Sequence, residues 1–445
     1  ARKLIQEYES IDGILANIDK LTGKLKTSFT ENIDLLKLSK KLATIDFAVS
    51  LQTNIDDFLL REPKQEKLQE LFTELGFHKL LTELAPAATL SREGYQLLQT
   101  MPELRNLLQQ AKAKQAICID LETTSLNTMS AEIVGIALAV EEGKAFYVPV
   151  AHQLELGDNQ LDRKETLRML AEVLQDPKVE VIGQNLKYDL KILKRYGVDA
   201  KGKLFDTMLA SYLLNPSARH GMDAMAQEHL GHTTIKYEEV AGKGKKQLRF
   251  DSVPLAIAMD YAAEDADVTL RLANLFKTQL QKTGLLKLYD ELEEPLLHTL
   301  IDMELSGILL DKALLAQLSA EFKLKLNKLE KQIYEEAGDE FNINSPRQLG
   351  EILFGKLALP GAKKNKTGYS TRQDILEGLA SEHVLPKLIL EYRSFAKLQS
   401  TYVEALPNLV DENTGRLHTT LNQTIAATGR LTSSEPNLQN IPIRS

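Results

Sequence analysis

The chain has 445 residues, 43% of them hydrophobic, and a formal net charge of -8. That length and apolar content can fill the cores of two to four domains, no apolar run reaches the length of a membrane span, and the acidic balance argues against coating nucleic acid by bulk charge. The N-terminus lacks the layout of a signal peptide, and the single cysteine, Cys118, sits in an apolar stretch where it reads as a small buried hydrophobe, so a cytoplasmic protein without a membrane partner is expected.

Residues 1 to about 60 carry apolar positions at helical spacing (Leu4, Ile5, Tyr8, Ile11, then Ile14, Leu15, Ile18), broken by Gly13 and Gly23, with lysines 20, 24, 26, 37, 40 and 41 giving a basic side. There is no initiator methionine, and Ala1 to Ile5 reads as the inside of a helix, so upstream residues are expected. Amphipathic helices interrupted near Pro86 follow, as a linker. Around Lys114 the pattern changes to short β-branched runs at 117–120, 133–140 and 145–150, with hairpin connections at 127–130 and 141–143. A helix at about 163–174 and a strand at 179–182 come next, then a helix with Tyr188, Asp189, Ile192 and Leu193. Hairpins followed by alternating strands and helices describe an α/β domain with a mixed sheet.

Beyond Phe205 the pattern is helical to about Leu280, and residues 291–305 and 314–337 show leucine spacings that suggest a projecting helical hairpin. Two stretches, 241–249 with four cations and 356–372 with five, contain no acid and read as solvated loops or nucleic-acid contacts.

The chemistry centres on Asp120 and Glu122, which close an apolar strand at a spacing of two and therefore share a face. Buried together they repel and lose hydration, which a hard divalent cation would offset. Asp189 stands on the helix after Asn185, and Asp265 follows Tyr261 by one turn on a later helix. Singly, each has an ordinary reading: Asp189 as a surface charge, Asp265 as the partner of Arg271 or a lysine, Tyr261 as a core aromatic. Asp260, Glu264 and Asp267 occupy other faces of that helix, where solvated charge is expected.

The joint order D-x-E, N-x-x-x-D, Y-x-x-x-D resembles the tyrosine variant of the DEDD exonucleases, which are built on an RNase H-like fold. The resemblance implies two divalent metal ions, Mg²⁺ with Mn²⁺ or Zn²⁺ as alternatives, about 3.5 to 4 Å apart on either side of the scissile phosphate. Asp120, Glu122 and Asp265 would hold the first ion and Asp120 and Asp189 the second, while Tyr261 and Glu122 orient the attacking water.

The likeness extends further. The motifs 183–189, 205–212, 241–245 and 261–269 look like the proofreading domain of bacterial family A DNA polymerases. Phe341 to Ser345, Pro386 to Arg393, Lys397 to Tyr402 and Thr428 to Pro442 are similar to that family's thumb and the entry to its palm, and the opening residues look like the end of its 5'-nuclease domain. The resemblance implies 1–62 as that remnant, 63–105 as a helical linker, 106–284 as the exonuclease, and 285–445 as a mostly helical thumb with the start of the palm. The polymerase catalytic aspartates are expected beyond Ser445 and those of the 5'-nuclease before Ala1, which would leave the 3'-5' exonuclease as the complete centre. A monomer in a bacterial, nucleoid-associated setting is implied, with a single-stranded DNA 3' end in the exonuclease and primer-template duplex at the thumb. Leu126 would wedge against the terminal base, Asn185 would contact the single strand, Arg430, Asn437 and Gln439 would face the minor groove, and Asn342, Ser345, Arg393 and Lys397 would touch backbone. The competing readings are an RNase D-like exoribonuclease, in which the 428–442 motif has no place, and a non-catalytic DNA-binding scaffold.

Overall fold

The computed structural model describes residues 2–49, 59, 63–75, 77, 80, 90–154, 156–362, 364–365 and 368–441, which fall into two compact units, Ala1–Leu68 and Gln69–Ser445. Much of the expected linker, Lys363 and Lys366 of the second basic stretch, and Pro442 of the last motif lie outside the described residues. Among the described residues, no helix is long and apolar enough to cross a membrane.

The first unit contains short helices: α1 (Arg2–Tyr8), α2 (Ile11–Ala16), α3 (Gly23–Glu31) and α4 (Ile33–Ala43). Gly13, expected to interrupt a helix, instead lies inside α2. A Cβ there would fall 2.0 Å from the Tyr8 carbonyl oxygen, so the residue permits a close approach of chain to chain. Ser10 starts α2 by accepting the Gly13 amide at 2.9 Å. A further helix, α5 (Gln65–Glu74), follows.

In the second unit a six-stranded sheet comprises β1 (Tyr95–Leu97), β2 (Ala116–Thr123), β3 (Ile133–Glu141), β4 (Lys144–Pro149), β5 (Glu180–Gly183) and β6 (Leu204–Asp206), in the order β1-β4-β3-β2-β5-β6. The central strand β2 runs antiparallel to β3 and parallel to β5, so the sheet is mixed as its hairpin-then-alternating pattern requires. β1 lies within the segment expected to be helical linker. It pairs with β4 because Gly94 lets the chain pass against the β3–β4 turn, where a Cβ would fall 1.9 Å from the Gly143 oxygen. Around the sheet stand α6 (Met101–Lys114), α7 (Arg163–Leu174), α8 (Leu186–Arg195), α9 (Thr207–Leu214) and the 29-residue α10 (Leu255–Thr283). α6 is begun by a reciprocal capping box between Thr100 and Glu103.

After α11 (Glu294–Ser306) and β7 (Ile308–Leu309) come α12 (Lys312–Ala337), the two-residue strands β8 (Lys364–Asn365) and β9 (Gly368–Tyr369), α13 (Val384–Leu398), and the short strands β10 (Arg416–Leu417), β11 (Thr420–Asn422) and β12 (Thr432–Ser434). The expected hairpin of residues 291–305 with 314–337 does not form. α11 buries Leu297 and Ile301 in the core of the sheet domain and packs on α8, whereas α12 lies along α13 and contributes Ile333 and Ala337 to a separate core with Leu385 and Ile389. Leucine spacing reveals that each helix has an apolar stripe, but not which surface covers it.

Candidate active site

Asp120 and Glu122 leave β2 on one face, and the register sets Ala137 beside Asp120 and Gly135 beside Glu122 on β3. A Cβ on Gly135 would lie 1.9 Å from the Tyr147 hydroxyl oxygen, so this position must stay bare. α10, which packs on β2, β3 and β4, brings Asp265 to the acids. One carboxylate oxygen from each of Asp120, Glu122 and Asp265 lies within 4.8 Å of the others. Asp189 approaches from α8, its Oδ1 accepting the Leu121 amide at 3.2 Å. Tyr261, one turn before Asp265, is held as a neutral phenol by burial and by the negative charge of Asp265, Glu122 and Asp120.

Burial pushes the Asp120 carboxyl up to about 6. Burial, and then the charge of Asp120, lifts Glu122, Asp189 and Asp265 well above the usual carboxylate range. Asp265 Oδ1 is buried and has no hydrogen-bond partner among the described residues. An orphaned oxygen among mutually repelling carboxylates is the donor set of a hard divalent cation, and the residues fit one.

A carboxyl whose value is raised in the folded state stabilises the fold fully below its unfolded value, and that contribution is lost as pH rises through the folded one. For Asp120 the window runs from 3.8 to about 6. In EDTA, wild type is therefore expected to lose stability relative to Asp120→Asn as pH rises through that window. Parallel thermal melts at pH 4, 5, 6 and 7 measure the difference, and a constant gap would refute the raised value.

Two neighbours on α10 depart from expectation. Glu264 and Asp267, read as solvated charges, are both 0% exposed. Glu264 accepts from Arg92 Nη2 at 2.8 Å, His232 Nε2 at 3.1 Å and the Ile235 amide at 2.5 Å. Asp267 accepts from the Tyr95 hydroxyl at 2.9 Å, the Gly143 amide at 2.6 Å and Arg271 Nε at 3.1 Å. Arg271, a partner considered for Asp265, belongs to Asp267. Between Ala262 and Leu270 α10 is buried all round, and strand β1, missed in the sequence, supplies Tyr95 beside it.

Leu126 is 91% exposed in the loop after β2. Asn185 precedes α8 with φ +56° and an exposed side chain, and its backbone amide donates to Asp206. In the remaining segment the expected nucleic-acid residues are spread along the chain and several serve the fold. Ser345 Oγ caps a helix by accepting Gln348 N, and Asn342 Oδ1 accepts Asn344 N. Arg393 is half-buried and donates to the Thr371 carbonyl at 2.6 Å, whereas Lys397 is exposed. Gln439 Nε2 donates to Leu431 O, Asn437 Oδ1 accepts Gln439 N, and Arg430 is exposed.

Several residues near the acids have no site role evident in the sequence. Tyr188 donates to the Ser125 carbonyl at 2.8 Å and is hydrogen-bonded to Thr123, tying α8 to the loop that carries Leu126. Tyr237 stacks on Phe250 with its ring centroid 6.2 Å from that of Tyr261, and 38% of its surface is open. Its signal was faint: a lone aromatic in a polar stretch, without periodicity. Asp206 accepts the Asn185 and Leu186 amides and sets the start of α8.

Comparison with known proteins agrees with this geometry. A 3'-5' exonuclease family model matches residues 95–281, a DNA polymerase family A model residues 312–445, and a 5'-3' exonuclease C-terminal SAM-fold model residues 1–66. The sheet, with its acids at the end of the central strand, is that of an RNase H-like 3'-5' exonuclease domain. DNA polymerase I of Pseudomonas aeruginosa is 42% identical over 98% of this chain and 50% of its own length, and that of Geobacillus stearothermophilus 38% identical over 100% and 49%. A solved structure described as the POL domain of Pol1 from M. smegmatis in complex with DNA primer-template and dNTP aligns with a TM-score of 0.66 and 30% identity, over 79% of this chain and 56% of that one. The chain is thus similar along nearly its whole length to DNA polymerase I of these bacteria, and spans about half the length of the curated relatives it matches.

Proposed function

We propose that this chain hydrolyses the 3'-terminal phosphodiester of DNA, releasing nucleotides in the 3'-5' direction, as the proofreading part of a family A DNA polymerase of replication and repair. The observation that carries the reading is the convergence of Asp120, Glu122 and Asp265 within 4.8 Å, with an orphaned oxygen on Asp265 and Asp189 alongside. Asp120, Glu122 and Asp265 would hold one Mg²⁺ and Asp120 and Asp189 a second. When bound, the ions stabilise charge on the attacking and departing oxygens. The protein's own residues do the rest. Glu122 and the neutral Tyr261 phenol orient a water toward phosphorus, Leu126 presents an apolar edge to the terminal base, and the open ring of Tyr237 offers a stacking surface. Water attacks phosphorus and passes a proton to solvent, the bond to the 3'-oxygen of the preceding nucleotide breaks, and that oxygen takes up a proton from solvent as the terminal nucleotide leaves as a 5'-monophosphate.

DNA is the proposed substrate, as a single-stranded 3' end at the acids and as primer-template duplex along the segment after residue 312, acting on a monomer in the bacterial cytoplasm at the nucleoid. The bacterial relatives and the DNA-bound polymerase among the similar structures support this. The deciding experiment compares release from DNA and RNA 3' ends of the same sequence with Mg²⁺ and with EDTA. Mg²⁺-dependent release favouring DNA is expected, a preference for RNA would favour an exoribonuclease, and no release from either would leave a binding scaffold. Exposed Lys397 is expected to contact a phosphate, so Lys397→Ala should weaken duplex binding uniformly across sequences and reduce the salt slope by about 1. Fluorescence anisotropy across a salt series reads both.

A further inference from the structure

Helix α8 is buried on opposite sides by opposite chemistry. Asp189 faces β2, where it accepts the Leu121 amide. Lys187 and Lys191, two positions before and after, project about 200° around the helix from it. Both lysines are buried, and they converge on one carboxylate, that of Glu304 on α11, at 2.5 and 2.6 Å. Glu304 is 1% exposed. Its Oε1 also accepts the Leu421 amide of β11 at 2.8 Å, Lys187 Nζ donates to the Leu421 carbonyl, and the Glu304 carbonyl oxygen is paired with His418 Nδ1 at 2.7 Å. One side chain thus joins the helix that carries an exonuclease acid to a strand of the polymerase-matched segment. Glu304 itself falls between the two matched segments, 95–281 and 312–445.

We propose that Glu304 is a positioning residue for the exonuclease: by clamping Lys187 and Lys191 against β11 it fixes the depth of α8 in the sheet domain, and so the place of Asp189 beside Asp120. This rests on the exonuclease reading above. Other polar ties cross the same boundary without touching α8. Gln423 Nε2 donates to Glu293 at 2.7 Å, and the Tyr212 hydroxyl donates to the Ala426 carbonyl at 2.7 Å. They hold the two segments together without contacting α8, which makes Gln423 a control for general loss of docking.

The test uses the whole chain, with single-turnover release from a DNA 3' end measured as maximal rate and half-saturating DNA concentration, each corrected for folded fraction. Glu304→Gln keeps the acceptor for Leu421 and removes the charge. It is expected to lower the maximal rate by about 10- to 100-fold, the range seen when groups that orient metal ligands are removed, with half-saturation changed less than about twofold. Lys191→Met leaves a charge-balanced Lys187–Glu304 pair and should show a smaller loss of the same kind. Gln423→Ala should match wild type. Wild-type maximal rates in Glu304→Gln or, if that variant does not fold, in Lys191→Met would overturn the proposal, as would an equal loss in Gln423→Ala. Asp120→Ala and wild type run alongside. No Mg²⁺-dependent release by wild type, or full release by Asp120→Ala, would instead overturn the exonuclease reading and this inference with it.

Discussion

Replacing Asp120 by alanine is expected to lower Mg²⁺-dependent nucleotide release from a DNA 3' end by about a thousandfold or more. The residue is placed to serve both ions, and Lewis-acid stabilisation of the transition state contributes several kcal/mol, each 1.36 of which is about tenfold in rate. Geometry explains why no neighbour replaces it. Glu122 and Asp265 belong with it to one cluster, but Asp189 comes from α8 and has an oxygen engaged by the Leu121 amide. Single-strand binding should survive, because Leu126, Tyr237 and Asn185 are untouched. The variant also loses a carboxylate that burial holds at a raised value, so it should melt no lower than wild type in EDTA. Lost activity in a stable, DNA-binding protein separates a catalytic role from a structural one. Retained activity would remove Asp120 from the site.

The largest loss of stability is expected from Asp267→Ala, roughly 3–5 kcal/mol, the usual cost of deleting one partner from a buried charged network. The substitution would strand the Tyr95 hydroxyl, the Gly143 amide and Arg271 together, within the span that joins β1, the β3–β4 turn and α10. Asp267→Asn should cost less, since an amide still accepts two of those bonds. Denaturant unfolding followed by circular dichroism gives the difference, and a change under about 1 kcal/mol would mean that the network contributes little. Because α10 also carries Asp265 and Tyr261, Asp267→Ala should depress exonuclease activity even at temperatures where it remains folded.

Both predictions bear on what could be read from the residues. That Asp120 and Glu122 share a face and that Tyr261 and Asp265 stand one turn apart was legible because alternation on a strand and one-turn spacing on a helix are local rules, whereas grouping them with Asp189 rested on the resemblance of their joint order. The mixed sheet was legible for the same reason, in the switch from hairpins to alternating strands and helices. Glu264 and Asp267 were misread because burial is not a local property. Their partners Arg92, Tyr95, Gly143 and His232 lie far away in sequence, and Tyr95 belongs to a three-residue strand too short to show a period. The leucine pattern of α11 and α12 failed for a related reason: it fixed a stripe on each helix and left its partner open. Local sequence also does not show that in this fold polar atoms of Arg393 and Gln439 are engaged with Thr371, and with Leu431 and Ser433.

The order β1-β4-β3-β2-β5-β6, closed by α10, also sets the schedule on which the acids meet during synthesis. Asp265 follows Glu122 by about 140 residues, which at ribosomal rates of about 5–20 residues per second is on the order of ten seconds. Through that interval a nascent chain holds Asp120 and Glu122 without the helix that completes their cluster. The cutting centre therefore comes into being late, when most of the domain that will hold it has already emerged.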